Sequence, residues 1–190
     1  PWQNAGTVAL QVYFASFLEG EDYKRAIGPD GLAKTYRELF GDPWAGNTTV
    51  LPGSLVQPEF ILPFKQGQTW SLTGGPHSAW GSLRPWAAID FAPPMTVQGC
   101  AETQEFALAV ADGVIARVGD GIVVLDLDGD GDERTGWVVF YLHIAAKDRI
   151  AVGTVVQQGD PIGHPSCEGG TSTGTHVHIA RKYNGEWISA

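Results

Sequence analysis

A mainly β domain, built on an antiparallel sheet and preceded by a small α-helical N-terminal appendage, is the fold this sequence of 190 residues predicts. Three observations carry that expectation. From residue 105 onward, β-branched and aromatic runs alternate with turns rich in Gly and Asp. The chain holds 25 Gly and 12 Pro, enough for the many turns that short strands require. Residues 1–57, by contrast, place their apolar side chains at helical rather than alternating spacing.

The elements follow in chain order. Residues 5–18 suit a helix, and in Asp30–Phe40 the residues Leu32, Tyr36, Leu39 and Phe40 recur at helical spacing, with Gly41 as the stop. Pro43, Pro52, Gly53, Pro58 and Pro63 mark an extended connector, which sets a domain boundary near residue 57 and a second domain over 58–190. Thr73-Gly74-Gly75-Pro76-His77 reads as a loop, and Ala88-Ile89-Asp90-Phe91 as the start of a strand. Glu105–Ala111, Val114–Val118, Ile122–Leu127 and Trp137–Ile144 then read as strands, separated by Asp112-Gly113, Gly119-Asp120-Gly121 and an acidic loop. Thr154–Gln157, Pro161–Gly163 and His176–Tyr183 follow. Asn184-Gly185 is a two-residue hairpin turn that returns the chain along Glu186–Ile188.

Composition narrows the function. A net charge of −9 argues against nucleic acid, whose binders present a basic face, and against adsorption to anionic surfaces. No apolar run reaches the roughly 18–20 residues that span a bilayer, so no membrane-spanning segment is expected. Residues 6–18 lack the basic flank of a signal peptide, and the sequence opens on Pro1, which reads as a trimmed form of something longer. Cys100 and Cys167 form an even pair; they suit a disulfide in an exported protein and two reduced thiols otherwise.

Five histidines stand at 77, 143, 164, 176 and 178. His176 and His178 flank Val177 in an expected strand and therefore share a face. Asp90 sits among apolar neighbours, where a carboxylate is costly to bury without a metal or hydrogen-bond partner. His143 follows Phe140-Tyr141-Leu142 and is expected to share a face with Tyr141. Taken singly, each of these residues also has a bland reading as a loop, cap or core residue. His164, in an expected turn after Ile162-Gly163, is read as structural.

Together the motifs resemble the lysostaphin-like zinc metallopeptidases, most closely their β-lytic (staphylolytic) branch. The residues that carry the resemblance are Gly75-Pro76-His77 with Asp90 thirteen residues on, His143, the run from Cys167 through Gly-Gly-Thr-Ser-Thr-Gly-Thr to His176-Val177-His178, and Tyr183-Asn-Gly-Glu-Trp187. It covers residues 58–190. Family members that place the aspartate four residues after the first histidine differ here, and the longer spacing ties the chain to the one branch. Cys100 is not where the usual partner of Cys167 is expected, so a Cys100–Cys167 disulfide is a hypothesis.

The resemblance implies one Zn2+ per chain held by His77, Asp90 and His178, with His143 and His176 as catalytic histidines. Two imidazoles and a carboxylate leave a fourth tetrahedral position open, as a catalytic zinc requires. No His-Glu-x-x-His helix supplies a glutamate base, so an imidazole must move the proton. The implied substrate is the peptide of bacterial peptidoglycan, stem or cross-bridge, and the implied location is secreted or extracytoplasmic in the cell envelope. Two other classes compete: a non-catalytic envelope protein of the same fold that binds the wall or activates another hydrolase, and a binding module that stacks ligands on the seven tryptophans. The first is expected to lack metal ligands, and the second leaves the His/Asp set without purpose.

A secondary motif runs over Asp126, Asp128, Asp130 and Asp132. Its Asp-x-Asp-x-Asp-Gly start matches a Ca2+ loop, but Trp137 stands where the twelfth-position Glu belongs. A calcium site and a solvated acidic hairpin tip are both open from the sequence.

Overall fold

Strands form where β-branched and aromatic residues cluster, and all of them pair antiparallel. The computed structural model describes residues 54–82, 85–95 and 97–190. The helices expected within residues 1–57, and so the appendage itself, lie outside the described residues apart from 54–57. The strands are β1 (Ser71–Ser78), β2 (Trp86–Ala92), β3 (Ala107–Leu108), β4 (Gly113–Gly119), β5 (Ile122–Asp126), β6 (Trp137–Leu142), β7 (Val155–Val156), β8 (Pro161–Gly163), β9 (Val177–Tyr183) and β10 (Glu186–Ile188).

Eight of them make one sheet, seven in the order β1-β2-β9-β6-β5-β4-β7 with β10 added beside β9, while β3 and β8 form a separate pair. β9 is the organising strand. One of its edges pairs along its full length with β6. The other is shared end to end, with β2 opposite Val177–Ala180 and β10 opposite Arg181–Tyr183. The β9–β10 turn is the expected one: Asn184 and Gly185 both adopt positive φ, 48° and 80°, as a two-residue hairpin of the primed type demands.

The central strands are apolar on both faces, which is why β5 and β6 read as near-continuous hydrophobic runs. Val123, Leu125, Val139, Tyr141 and Val177 face one core with Phe64, Trp70, Ile115, Ile144 and Ile162. Ile122, Val124, Val138, Phe140, Leu142, Ala88 and Ala180 face a second, smaller core. The β3–β8 pair and the segment around the stacked rings of Phe64 and Trp70, 4.9 Å apart, cover the first face. Tyr141 is fully buried there, and its hydroxyl accepts the Val110 N–H at 2.9 Å.

Three readings of local structure are corrected. Thr73–His77 is not a loop but part of β1, an edge strand with register shifts between Leu72 and Gly74 and between Gly74 and His77. Gly and Pro are tolerated at such an irregular edge because no outer strand among the described residues needs their hydrogen bonds. His143 does not share a face with Tyr141. β6 ends at Leu142, and His143 takes φ 64°, which breaks the alternation and turns its ring to the opposite face. The run 105–111 contributes only Ala107–Leu108 as strand.

Candidate metal centre

The second, smaller core stops short of one end of β2 and β9, and that end gathers the polar groups. Register does most of the work. Asp90 lies opposite His178 across the β2–β9 pair and opposite Gly74 across β1–β2. His77, the penultimate residue of β1, comes in from the edge. Three donor atoms meet: His77 Nε2 lies 3.0 Å from His178 Nδ1, and Asp90 Oδ1 lies 3.3 Å from the first and 3.1 Å from the second. Ligands at about 2.0–2.2 Å from a tetrahedral zinc stand roughly 3.3–3.5 Å apart, so the triangle fits one such ion.

The protons make the argument stronger than the distances. His77 Nδ1–H donates to the Gly75 carbonyl at 2.8 Å, and His178 Nε2–H donates to the Ala79 carbonyl at 3.1 Å. In the neutral rings this leaves a lone pair on each of the two nitrogens that face each other. Asp90 Oδ1 is buried beside them with no hydrogen-bond partner. Two lone pairs and a carboxylate oxygen at this separation repel unless a cation lies between them. Backbone carbonyls that fix the tautomer of a liganding imidazole are the usual support of a metal site.

The other two histidines stand beside this triangle. The ring centroid of His143 is 4.5 Å from that of His176 and 6.2 Å from that of His178. His143 Nδ1–H donates to the Glu168 carbonyl and His176 Nδ1–H to the Gly174 carbonyl, each at 2.8 Å. Both rings therefore keep Nε2 free to take a proton, and His176 Nε2 stands 3.7 Å from Asp90 Oδ2. Burial, assisted by the charges of His176 and His178, holds His143 below the ordinary imidazole range despite its bond to Glu168 and the nearby Asp90. Exposure grades across the site: His178 is 5% exposed, whereas the His77 side chain is 38% exposed. Among the described residues, the triangle is therefore most open to solvent on the His77 side.

All five residues expected at the site thus come together, from four stretches of chain. His164 does not join them: its Nδ1–H donates to the Glu105 carbonyl, and its ring lies 3.9 Å from that of Phe106. Cys100 and Cys167 are joined in a disulfide. In the acidic loop, carboxylate oxygens of Asp126, Asp128 and Asp130 lie within 4.8 Å of one another. Asp132 turns away to Arg134, its two oxygens accepting from Nε at 2.7 Å and Nη2 at 2.6 Å.

Gly74 is a functional position that sequence reasoning passed over. A Cβ there lands on the Asp90 carboxylate, so only glycine lets the edge strand close over the ligand. Its signal was present as the Gly74-Gly75 pair ahead of His77. The carbonyls of Gly75, Ala79, Gly174 and Glu168 had none, because every residue carries one.

No family model matches the chain. It is similar to Protease LasA from two strains of Pseudomonas aeruginosa, 28% and 27% identical over 209 aligned positions that take in 98% of this chain. The chain spans 46% of the length of those relatives. Among solved structures it is similar to pseudoalterin, described as a novel M23 metalloprotease from the deep sea, with 28% identity and a TM-score of 0.58 over 70% of this chain and 76% of that one.

Proposed function

We propose that this chain is a lysostaphin-like (M23) metallopeptidase, a zinc-dependent endopeptidase of bacterial peptidoglycan that cuts the stem peptide or cross-bridge. The single observation that carries the reading is the close meeting of His77 Nε2, His178 Nδ1 and Asp90 Oδ1 beside two further imidazoles that stand outside the triangle. His77, Asp90 and His178 are the residues that would hold the zinc. Bound there, zinc would supply Lewis acidity to polarise a peptide carbonyl and would lower the pKa of water enough to furnish hydroxide near neutral pH.

The chain's own residues supply the rest. His143 and His176 each present Nε2 with its lone pair, fixed by the carbonyl that takes Nδ1–H. A neutral imidazole so held accepts the proton of the attacking water and returns it to the departing amine. Protonated, the same ring donates a hydrogen bond to the oxyanion of the tetrahedral intermediate. The lowered proton affinity of His143 keeps it in the basic form at neutral pH. The β-lytic branch, with its preference for glycine-containing bonds, is supported by the thirteen-residue spacing from His77 to Asp90.

The disulfide fits an oxidising, extracytoplasmic setting, and no helix among the described residues is long and apolar enough to cross a membrane. The test is digestion of purified peptidoglycan, with new amino termini counted, before and after chelation and on restoring zinc. Release that stops on chelation and returns with zinc supports the reading. Binding to peptidoglycan with no new termini at any zinc level sinks it in favour of a non-catalytic envelope protein.

A further inference from the structure

His143 holds a left-handed backbone conformation directly after β6, φ 64°, which is uncommon for a residue with a side chain. Something must hold it there, and the bonds converge on one residue. The His143 carbonyl accepts two hydrogen bonds from Ser166, from the backbone N–H at 2.6 Å and from Oγ at 3.0 Å. The same Oγ accepts the Glu168 N–H at 3.0 Å. The Glu168 carbonyl in turn takes the His143 Nδ1–H. The bonds close a ring that leaves the His143 backbone, passes through the Ser166 hydroxyl, and returns to the His143 imidazole. A hydroxyl fits the position because it donates once while accepting at its lone pairs.

Ser166 touches the second spare histidine as well. It forms an isolated bridge with His176, whose N–H donates to the Ser166 carbonyl at 3.3 Å. One residue thus contacts both imidazole-bearing positions while remaining outside the metal triangle. The neighbouring turn locks the ring from behind: a Cβ on Gly121 would meet the Glu168 carbonyl oxygen, and a Cβ on Gly169 the Asp120 carbonyl oxygen. The Gly121 carbonyl also accepts the Ile144 N–H at 2.9 Å.

We propose that Ser166 is a positioning residue whose hydroxyl sets the orientation and tautomer of the His143 imidazole and its spacing from His176. The proposal rests on the peptidase reading for its kinetic consequence but not for its structural one. Ser166→Ala deletes the hydroxyl and keeps both backbone bonds, so it isolates the ring of bonds from the fold. Ser166→Thr restores a hydroxyl.

The experiment measures kcat and KM on a peptide substrate, bound zinc, and the ¹⁵N shifts of the His143 ring in full-length protein. In Ser166→Ala, kcat is expected to fall about tenfold with KM within about twofold, the range of effects seen when outer-shell partners are lost. Zinc stays at the wild-type level. The His143 ring loses its single Nδ1-protonated form. Ser166→Thr returns kcat to within about threefold of wild type. A wild-type kcat in Ser166→Ala, or a loss that Thr fails to restore, overturns the proposal. Should the wild-type protein cleave nothing, the peptidase reading falls, and the ring nitrogens still decide: an unchanged His143 tautomer in Ser166→Ala overturns the role of Ser166.

Discussion

At the scale of single residues, the proposed reading divides the site into groups that would hold the metal and groups that would move protons, and substitution separates them. His178 is the deepest ligand, and its loss leaves His77 and Asp90 alone. His178→Ala is expected to bind less than one-tenth of the wild-type zinc and to cleave nothing. His143→Ala is expected to keep its zinc and lose about 10²- to 10⁴-fold in kcat, the span of general acid–base contributions. Zinc analysis beside a cleavage assay checks both, and equal zinc loss in the two variants would erase the division of labour. Gly74→Ala tests the edge strand: the added methyl displaces the Asp90 carboxylate. Zinc affinity is expected to drop roughly 10- to 100-fold, measured by competition with a chelator, while the melting temperature of the metal-free protein changes little. His143 also marks what the sequence left unread at this scale. Its identity was legible in Tyr141-Leu142-His143, but its face was not, because alternation gives the wrong side and only the left-handed conformation, held by Ser166, corrects it.

At the scale of elements, the acidic loop between β5 and β6 is anchored by Glu133 rather than by its aspartates. Glu133 pairs with Arg117 of β4 through Nε and Nη2, and the buried Lys182 of β9 stands 3.7 Å from its Oε2. Lys182 also lies over the Trp187 ring, 4.5 Å from its centroid. Burial lowers Lys182 to about 8 despite the carboxylate of Glu133. Between that value and the ordinary lysine value of 10.5, the unfolded chain carries a proton on this lysine that the folded chain does not. Stability contributed at this position therefore rises with pH through that window. The stability of wild type relative to Lys182→Met is expected to grow from pH 7 to pH 10 in urea unfolding, and a constant difference would discard the argument.

The calcium reading belongs to the same loop. It requires a saturable heat on titrating calcium into metal-free protein, and no heat leaves a hairpin tip closed by its own backbone bonds. In that tip the Asp126 oxygens already accept the Asp128 and Gly131 N–H groups at 3.3 and 2.8 Å. The strands most legible from sequence were β4, β5, β6, β9 and β10, whose β-branched residues serve two cores or a tight hairpin. β1 was not, since Gly74, Gly75 and Pro76 carry turn chemistry that only the irregular edge register makes compatible with a strand.

At the scale of the whole molecule, the site depends on chain segments far apart in sequence, and the disulfide ties two of them at the point of greatest consequence. Cys167 lies between Ser166 and Glu168, the two residues that hold His143. Its partner Cys100 sits in a segment bonded to Thr175, the residue before His176: the Thr175 N–H donates to the Gly99 carbonyl at 3.0 Å and its hydroxyl to the Ala101 carbonyl. Residues 167–175 are thereby fastened at both ends to residues 99–101. The pairing spans 67 positions, and closing a loop of that size removes about 4 kcal/mol of unfolded-state entropy in the chain-entropy account. Joint replacement of Cys100 and Cys167 by Ala is therefore expected to lower unfolding free energy by a few kcal/mol. At temperatures where that variant is still folded, kcat should fall more than zinc occupancy, because His77, Asp90 and His178 are held by the sheet and His143 by the fastened loop. Calorimetry, zinc analysis and kinetics on the one variant check this ordering. Loss of zinc with kcat per bound zinc unchanged would show that the fastening serves the metal and not the imidazoles.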